Sequence, residues 1–189
     1  MAIKLITDAV EEPVTRAEAA LFMRYTGSLQ NDVIDSQIKA ATRYVQNWCN
    51  CQLVNATFDY YTDSFCDVIK LPNSPLSSVT SVKYLDLDRT EQTLATTYYG
   101  TDTISPIPNI YRKYNQTWPN TLPEKNSVYI RYVAGYGADA TSVPEQYKQL
   151  IKTIVAEMFE HREGLTEVQL KENPTVSRLL HLCAHNYRF

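Results

Sequence analysis

The side chains with the widest chemical range here are three histidines and four cysteines, with acidic residues close to some of them. His181-Leu182-Cys183-Ala184-His185 has the outline of a metal cluster. On a helix His181 and His185 share a face, as a zinc pair requires, while Cys183 points elsewhere. No further ligand stands at a characteristic spacing, so the expectation is a pair of surface or interface histidines. Cys49-Asn50-Cys51 is too closely spaced for a redox Cys-x-x-Cys pair, and bridging neighbours one residue apart is strained. Burial at the end of a helix is the better reading, and in a chain that stays in the cytosol the four thiols, Cys66 included, are expected to be reduced. Glu157, Glu160, His161, Arg162 and Glu163 could supply general acid–base chemistry. They equally make the outer face of an amphipathic helix, with His161 and Arg162 where cations favour its C-terminus.

Two further stretches invite a ligand. Tyr111-Arg112-Lys113-Tyr114-Asn115-Gln116-Thr117-Trp118 interleaves aromatic rings with cations, a pattern that can stack bases and hold phosphates. The formal net charge of -3 argues against a nucleic-acid wrapper, and the same residues suit a strand and loop covering a sheet. Gly135-Tyr136-Gly137 lies between a strand and a helix but lacks the further glycine, Lys and Ser/Thr of a phosphate loop, which leaves a tight connection. No nucleophile is paired with a base. The chemistry-bearing residues therefore imply no enzyme, no metal and no cofactor.

The elements that carry these residues follow from periodicity. Thr15-Arg16-Ala17-Glu18 is a capping box, with Leu21 and Tyr25 at helical spacing and Gly27 as a stop. A second helix, capped by Asn31 or Asp32, runs through Ile34, Ile38, Ala41, Val45 and Trp48 as one apolar stripe. The middle of the chain is β-rich. Thr57–Thr62 and Val68–Leu71 read as a hairpin. A strand through Val79 to Leu85 turns at Asp86–Thr90 and returns over Leu94–Tyr99, with Gly100 as a break. Strand character is weak near Ile110-Tyr111 and clearest over Val128–Val133. Ser142-Val143-Pro144-Glu145 is a second capping box, ahead of a broad apolar face from Tyr147 to Met158 and Phe159 that Gly164 ends. A last helix starts after Asn173-Pro174 and runs through Val176, Leu179, Leu180 and Cys183.

Helices flank strands in this order, which is α+β and not alternating βαβ. The expected architecture is one domain over 1–189: a bundle of about four helices from 15–50 and 142–185, with an inserted antiparallel β-rich module over 56–134. There is no run of about eighteen apolar residues to span a membrane. The N-terminus turns acidic at Glu11-Glu12 without a long apolar stretch, which predicts a chain made and kept in the cytosol.

Several segments taken together resemble a known family. They are the N-terminal helical pair, Leu71-Pro72-Asn73-Ser74-Pro75-Leu76-Ser77-Ser78-Val79-Thr80-Ser81-Val82-Lys83-Tyr84, Trp118-Pro119, Val128 to Gly137, Val143-Pro144-Glu145 and Glu160-His161-Arg162-Glu163. In this order they look like the head–tail connector (adaptor) proteins of tailed bacteriophages and gene transfer agents, in the subgroup with a β-rich insertion. Cys49-Asn50-Cys51 stands where relatives carry a Gly-containing stop, and Thr101 to Lys125 departs from the family pattern.

The resemblance implies a structural subunit of the virion neck, assembled in the host cytoplasm. Such adaptors form a homo-oligomeric ring, about twelve-fold, beneath the portal protein. The ring extends the channel for double-stranded DNA, without reading its sequence, and docks a stopper or tail-completion protein. A stopper or tail-completion protein is itself the alternative reading, and a nucleic-acid-binding module a lower one. In relatives the C-terminal segment reaches towards the portal. That maps portal contact onto Leu179, Leu182, Asn186, Tyr187, Arg188 and Phe189. Tyr, Arg and Phe are also apt interface anchors on physical grounds. A neutral or acidic lumen suits DNA that must slide, because few phosphates are neutralised and held.

Overall fold

Apolar residues at steps of three and four dictate the longest helix, and the strands around it take their places from which faces they can bury. The structure, a computed structural model, describes residues 2–160 and 174–184. In chain order the elements are β1 (Ala2–Thr7), α1 (Arg16–Phe22), α2 (Asn31–Cys49), β2 (Ala56–Thr62), β3 (Val68–Lys70), β4 (Leu76–Leu85), β5 (Glu91–Thr93), β6 (Tyr99–Asp102), β7 (Asn109–Arg112), β8 (Val128–Ala134), α3 (Glu145–Glu160) and α4 (Pro174–Ala184). A single 3-10 turn, Ala140–Ser142, precedes α3. This is the α+β fold the sequence predicts.

The helices surround one core. Along α2, Ile34, Ile38, Ala41 and Val45 are buried as expected, but the stripe continues through Cys49, and Trp48 lies off it, half exposed. From α3, Tyr147, Leu150, Ile151, Ile154 and Val155 face inward, while Met158 is exposed. α4 closes the core with Leu180 and Cys183. The first capping box forms as read: the Thr15 hydroxyl accepts from Glu18 N–H, and Glu18 Oε2 accepts from Thr15 N–H at 2.7 Å. α1 nevertheless stops before Gly27. Arg24 takes a left-handed conformation (φ 54°) and Tyr25 N–H reaches back to the Ala20 carbonyl at 2.9 Å.

The second capping box does not form. The Ser142 hydroxyl turns to Asp139 at 3.3 Å, and Asp139 caps the 3-10 turn through Thr141 N–H. The first residue of α2 is Asn31, so neither Asn31 nor Asp32 stands before it as a cap. The Gly164 stop and His161 lie outside the described residues.

The strands form two sheets, a five-stranded one in the order β1-β2-β8-β4-β5 and a three-stranded one in the order β3-β7-β6. The strands pair antiparallel throughout both sheets. β8 is the central strand, and its alternation is strict: Val128, Ile130, Tyr132 and Ala134 are buried, with Tyr129, Arg131 and Val133 between them half-buried. Both sheets contribute to one core, Phe58, Ile130 and Tyr132 from the larger and Ile69, Tyr99 and Ile110 from the smaller.

Three expectations about pairing are corrected. β2 and β3 do not make a hairpin, because β2 pairs with β1 and β8 while β3 crosses to the other sheet and pairs with β7. The return after the Asp86–Thr90 turn is the short β5, not Leu94–Tyr99. Gly100 does not break a strand but sits inside β6 opposite Tyr111, whose ring occupies the space a Cβ would need. One element was not expected at all. β1, from the N-terminal residues, is an edge strand of the larger sheet with every side chain exposed. The β-rich part is thus 56–134 plus a strand that precedes the helices.

The two cores meet at a narrow seam. Leu53 and Val54 belong to the helical core and Ala56 to the β core. Asn55 N–H donates to the Gly137 carbonyl at 2.9 Å and Tyr136 N–H to Leu53 at 3.0 Å. Gly135, at φ 140°, lies so close to Asn55 that a Cβ would come within 2.6 Å of its backbone. Gly135-Tyr136-Gly137 is therefore a connection, and its glycine is required by this approach.

Candidate assembly surfaces

The residues with chemical range are largely consumed by structure. Cys49, Cys51 and Cys183 are buried free thiols, and Cys66 is an exposed one. Cys49 shares a hydrogen bond with Cys183, which favours its thiolate, but its hydrogen bond with Cys51 and burial outweigh this and push its pKa up to about 12. Cys183 is pushed up by its bond to Cys49 and by burial. Thiols held in this way are poor nucleophiles and packing residues. Asn50, in the left-handed conformation (φ 50°, ψ 44°), ends α2 and does the work of the glycine that the Cys-Asn-Cys segment lacks.

Among the described residues no three His, Cys, Asp or Glu side chains converge as a metal site. His181 is exposed on α4, Cys183 faces the core, and His185 lies outside the described residues. Glu157 and Glu160 sit on α3 beyond the buried face.

The aromatic and basic stretch does not present its cations freely. Arg112 is paired with Asp67 at 3.0 Å and donates to the Gln116 carbonyl at 2.9 Å, and Lys113 Nζ donates to the Thr96 carbonyl at 2.9 Å. Trp118 stacks on Phe65 with centroids 4.7 Å apart and planes within 6°. Tyr114 alone among its rings is almost fully exposed. The stretch pins a hairpin to the β core. The strongest ion pair of the sheet is elsewhere: Arg131 grips the buried Asp59 with two 2.7 Å hydrogen bonds, and that carboxylate holds the guanidinium pKa well above its ordinary value.

Exposed apolar residues occur on both units, among them Ile3, Leu5 and Ile6 of β1 and Ile104 between β6 and β7, and on the helices they include an aromatic pair. α2 carries a stacked pair, Tyr44 and Trp48, with ring centroids 6.3 Å apart, both about half exposed. With Glu157 of α3 and Val176, Ser177, Leu180 and His181 of α4 they line an open cleft of about 420 Å³. Leu182 stands out from α4, 69% exposed, whereas Leu179 packs against the helical core. Asn186, Tyr187, Arg188 and Phe189 lie outside the described residues. Two further leucines are exposed nearby in sequence, Leu21 on α1 (81%) and Leu29 in the turn before α2 (98%). Neither the cleft nor these leucines were singled out as a surface by the sequence reading. Its one available signal was Tyr44 and Trp48 recurring four apart, beside the buried stripe and not on it.

No family model matches the sequence, and no curated protein is significantly similar to it. Solved structures are. The chain superposes on one in the neck of an empty gene transfer agent particle, computed with C6 symmetry, at a TM-score of 0.81 and 18% identity, covering 97% of this chain and 95% of that one. The chain has a gene-transfer-agent neck fold. Two more structures extend the likeness: a chain of the native gene transfer agent virion (TM-score 0.79, 18% identity, 96% and 94% covered) and one of the native neck computed with C12 symmetry (0.75, 19%, 97% and 94%). Near-complete coverage in both directions means that this neck fold includes the β-rich part as well as the helices, and no large element is left over on either side. No described helix of it is long and apolar enough to cross a membrane.

Proposed function

We propose that this chain is a non-enzymatic head–tail adaptor: a structural ring subunit of a virion neck that sits beneath a portal protein and docks the next neck or tail component. The observation that carries the reading is the full-length match to gene transfer agent neck structures, end to end in both chains. The absorption of Cys49, Cys183, Arg112 and Lys113 into packing and pairing is in keeping with a part that works through its surfaces.

In this reading the subunits close a ring by rotation, about twelve-fold, and the related necks computed with C6 and C12 symmetry support that order. Double-stranded DNA passes through the lumen unread, and the net charge of -3 suits a surface that does not hold phosphates. Portal contact is assigned to Leu179, Leu182 and residues 186–189, the last of which lie outside the described residues, with Tyr187, Arg188 and Phe189 as anchors by side-chain type.

The test is binding of the purified chain to portal rings of the same particle, followed by electron microscopy of the complexes. The expected result is one added ring per portal, and heads that fail to join tails when the chain is missing. A chain that ignores the portal and binds instead to a preformed neck, or to tail tubes, is a stopper or tail-completion protein.

A further inference from the structure

Leu21 of α1 and the Tyr44–Trp48 cleft stand on opposite flanks of α2. Asp35 on this helix holds Arg16 of α1 in an ion pair, so it marks the α1 side. Tyr44 lies nine residues further on, and at about 100° per residue that is half a turn away. One flank therefore carries α1 with Leu21, the other the Tyr44–Trp48 cleft. A subunit that closes a ring head to tail needs two different surfaces placed in this way.

The surfaces also match in chemistry. Leu21 lies about 200° around α1 from Ala19, which is fully buried, so it points away from the core. Arg24 follows in a left-handed turn fixed by its own N–H bond to the Leu21 carbonyl at 3.1 Å. Tyr25 anchors that turn, edge-on to Phe159 with centroids 5.3 Å apart. The projection is thus preorganised, and little ordering entropy is lost when it docks. Arg24 is exposed and forms no ion pair among the described residues. On the other flank Glu157 borders the cleft, half-buried and likewise without an ion pair among the described residues. One side offers a leucine and a cation, the other an aromatic-walled cleft and an anion.

We infer that the lateral contact of the assembled protein is made by these two surfaces: Leu21 and Arg24 of one copy seat in the Tyr44–Trp48 cleft of the next, with Arg24 facing Glu157. The occupant of the cleft is a second copy of this chain. This rests on the ring reading above, and the test separates the two.

Charge reversal supplies the test, in the full chain bound to portal rings. Arg24→Glu alone and Glu157→Arg alone are each expected to weaken ring completion about tenfold, because like charges then meet at every lateral contact. Mixed in equal amounts they alternate around an even-numbered ring, opposite charges meet at each contact, and completion returns. A second variant pair reads proximity directly. With Cys66→Ser as background, Arg24→Cys combined with Glu157→Cys gives a ladder of disulfide-linked oligomers under copper-phenanthroline oxidation, and each single cysteine stops at the dimer.

If the portal carries its full complement of subunits yet the reversals have no effect, or no ladder forms above the dimer, the lateral assignment is overturned and the ring reading stands. If Trp48→Ala abolishes portal binding of single subunits and leaves lateral linking intact, the cleft belongs to the portal and the assignment is again overturned. If the wild-type chain does not gather on the portal at all, the ring reading itself has failed.

Discussion

The helical core and the β core are built from different side chains and answer to different rules. Around α2 and α3 the filling is aliphatic, with Cys49 and Cys183 among the few polarizable groups, and it comes from helices whose buried faces repeat every three or four residues. Between the sheets aromatic rings (Phe58, Tyr60, Tyr99 and Tyr132) join the aliphatic filling, and it is braced by directed contacts: the Tyr132 hydroxyl donates to the Pro72 carbonyl at 2.9 Å, Arg131 clasps Asp59, and Trp118 lies flat on Phe65. Helix packing tolerates small slides along a ridge, whereas a sheet slipped by one residue turns every side chain to the wrong face. The helical unit carries the Tyr44–Trp48 cleft and the exposed Leu21, while the β unit exposes Ile3, Leu5 and Ile6 on its edge strand β1. The β unit is held in one register and is suited to presenting a fixed shape.

That contrast can be broken or sharpened by substitution, because the two tryptophans report on one unit each: Trp48 on the helices and Trp118 on the sheets. The largest effect is expected from Tyr132→Ala, which empties the centre of the β core and removes a hydrogen bond, at a cost of about 4 kcal/mol. Urea unfolding followed in Trp48→Phe and Trp118→Phe backgrounds should show both reporters shifting together if the units fold as one domain. Displacement of the Trp118 transition alone would divide them.

Gly135→Ala is expected next, at about 2 kcal/mol for a strained backbone, and here the two midpoints should separate, since the seam and neither core is injured. Asp59→Ala should cost about 2 kcal/mol through the lost charged hydrogen bonds, read as a lowered urea midpoint at the Trp118 reporter. The smallest change is Asn50→Ala, about 1 kcal/mol for a left-handed residue with a Cβ and no local polar partner. Asn50→Gly should leave thermal stability within about 0.5 kcal/mol of the parent, which would confirm that this asparagine serves as a helix stop.

Legibility in the sequence follows the same division. The buried stripe of α2 and the broad face of α3 could be read within a few turns, because the information is local and periodic. The existence of most strands was equally local, and β2, β3, β7 and β8 fall where alternation and β-branched residues placed them. Their partners were not legible. Nothing near Val68 says that it pairs with Tyr111 and not with Thr62, because that choice is made by burial across the whole module. β1 was missed because Ala2–Thr7 contributes no buried side chain, and its strand state comes from the edge of β2. The outward aromatic pair on α2 was hidden for a related reason. Trp48 is compatible with the apolar stripe in sequence, and only the choice of Cys49 for the core turns it outward.

The position of β1 has a mechanical consequence. Because this strand lies in the larger sheet while α1 and α2 follow it, the backbone passes between the sheets and the helices three times: after Thr7, between Cys49 and Ala56, and between Ala134 and Glu145. A tensile load on one unit is therefore divided among three covalent tethers, where a simple insertion would offer two. The tether after Thr7 passes its load to the larger sheet through the hydrogen bonds between β1 and β2, because β2 is the sole neighbour of β1 in that sheet.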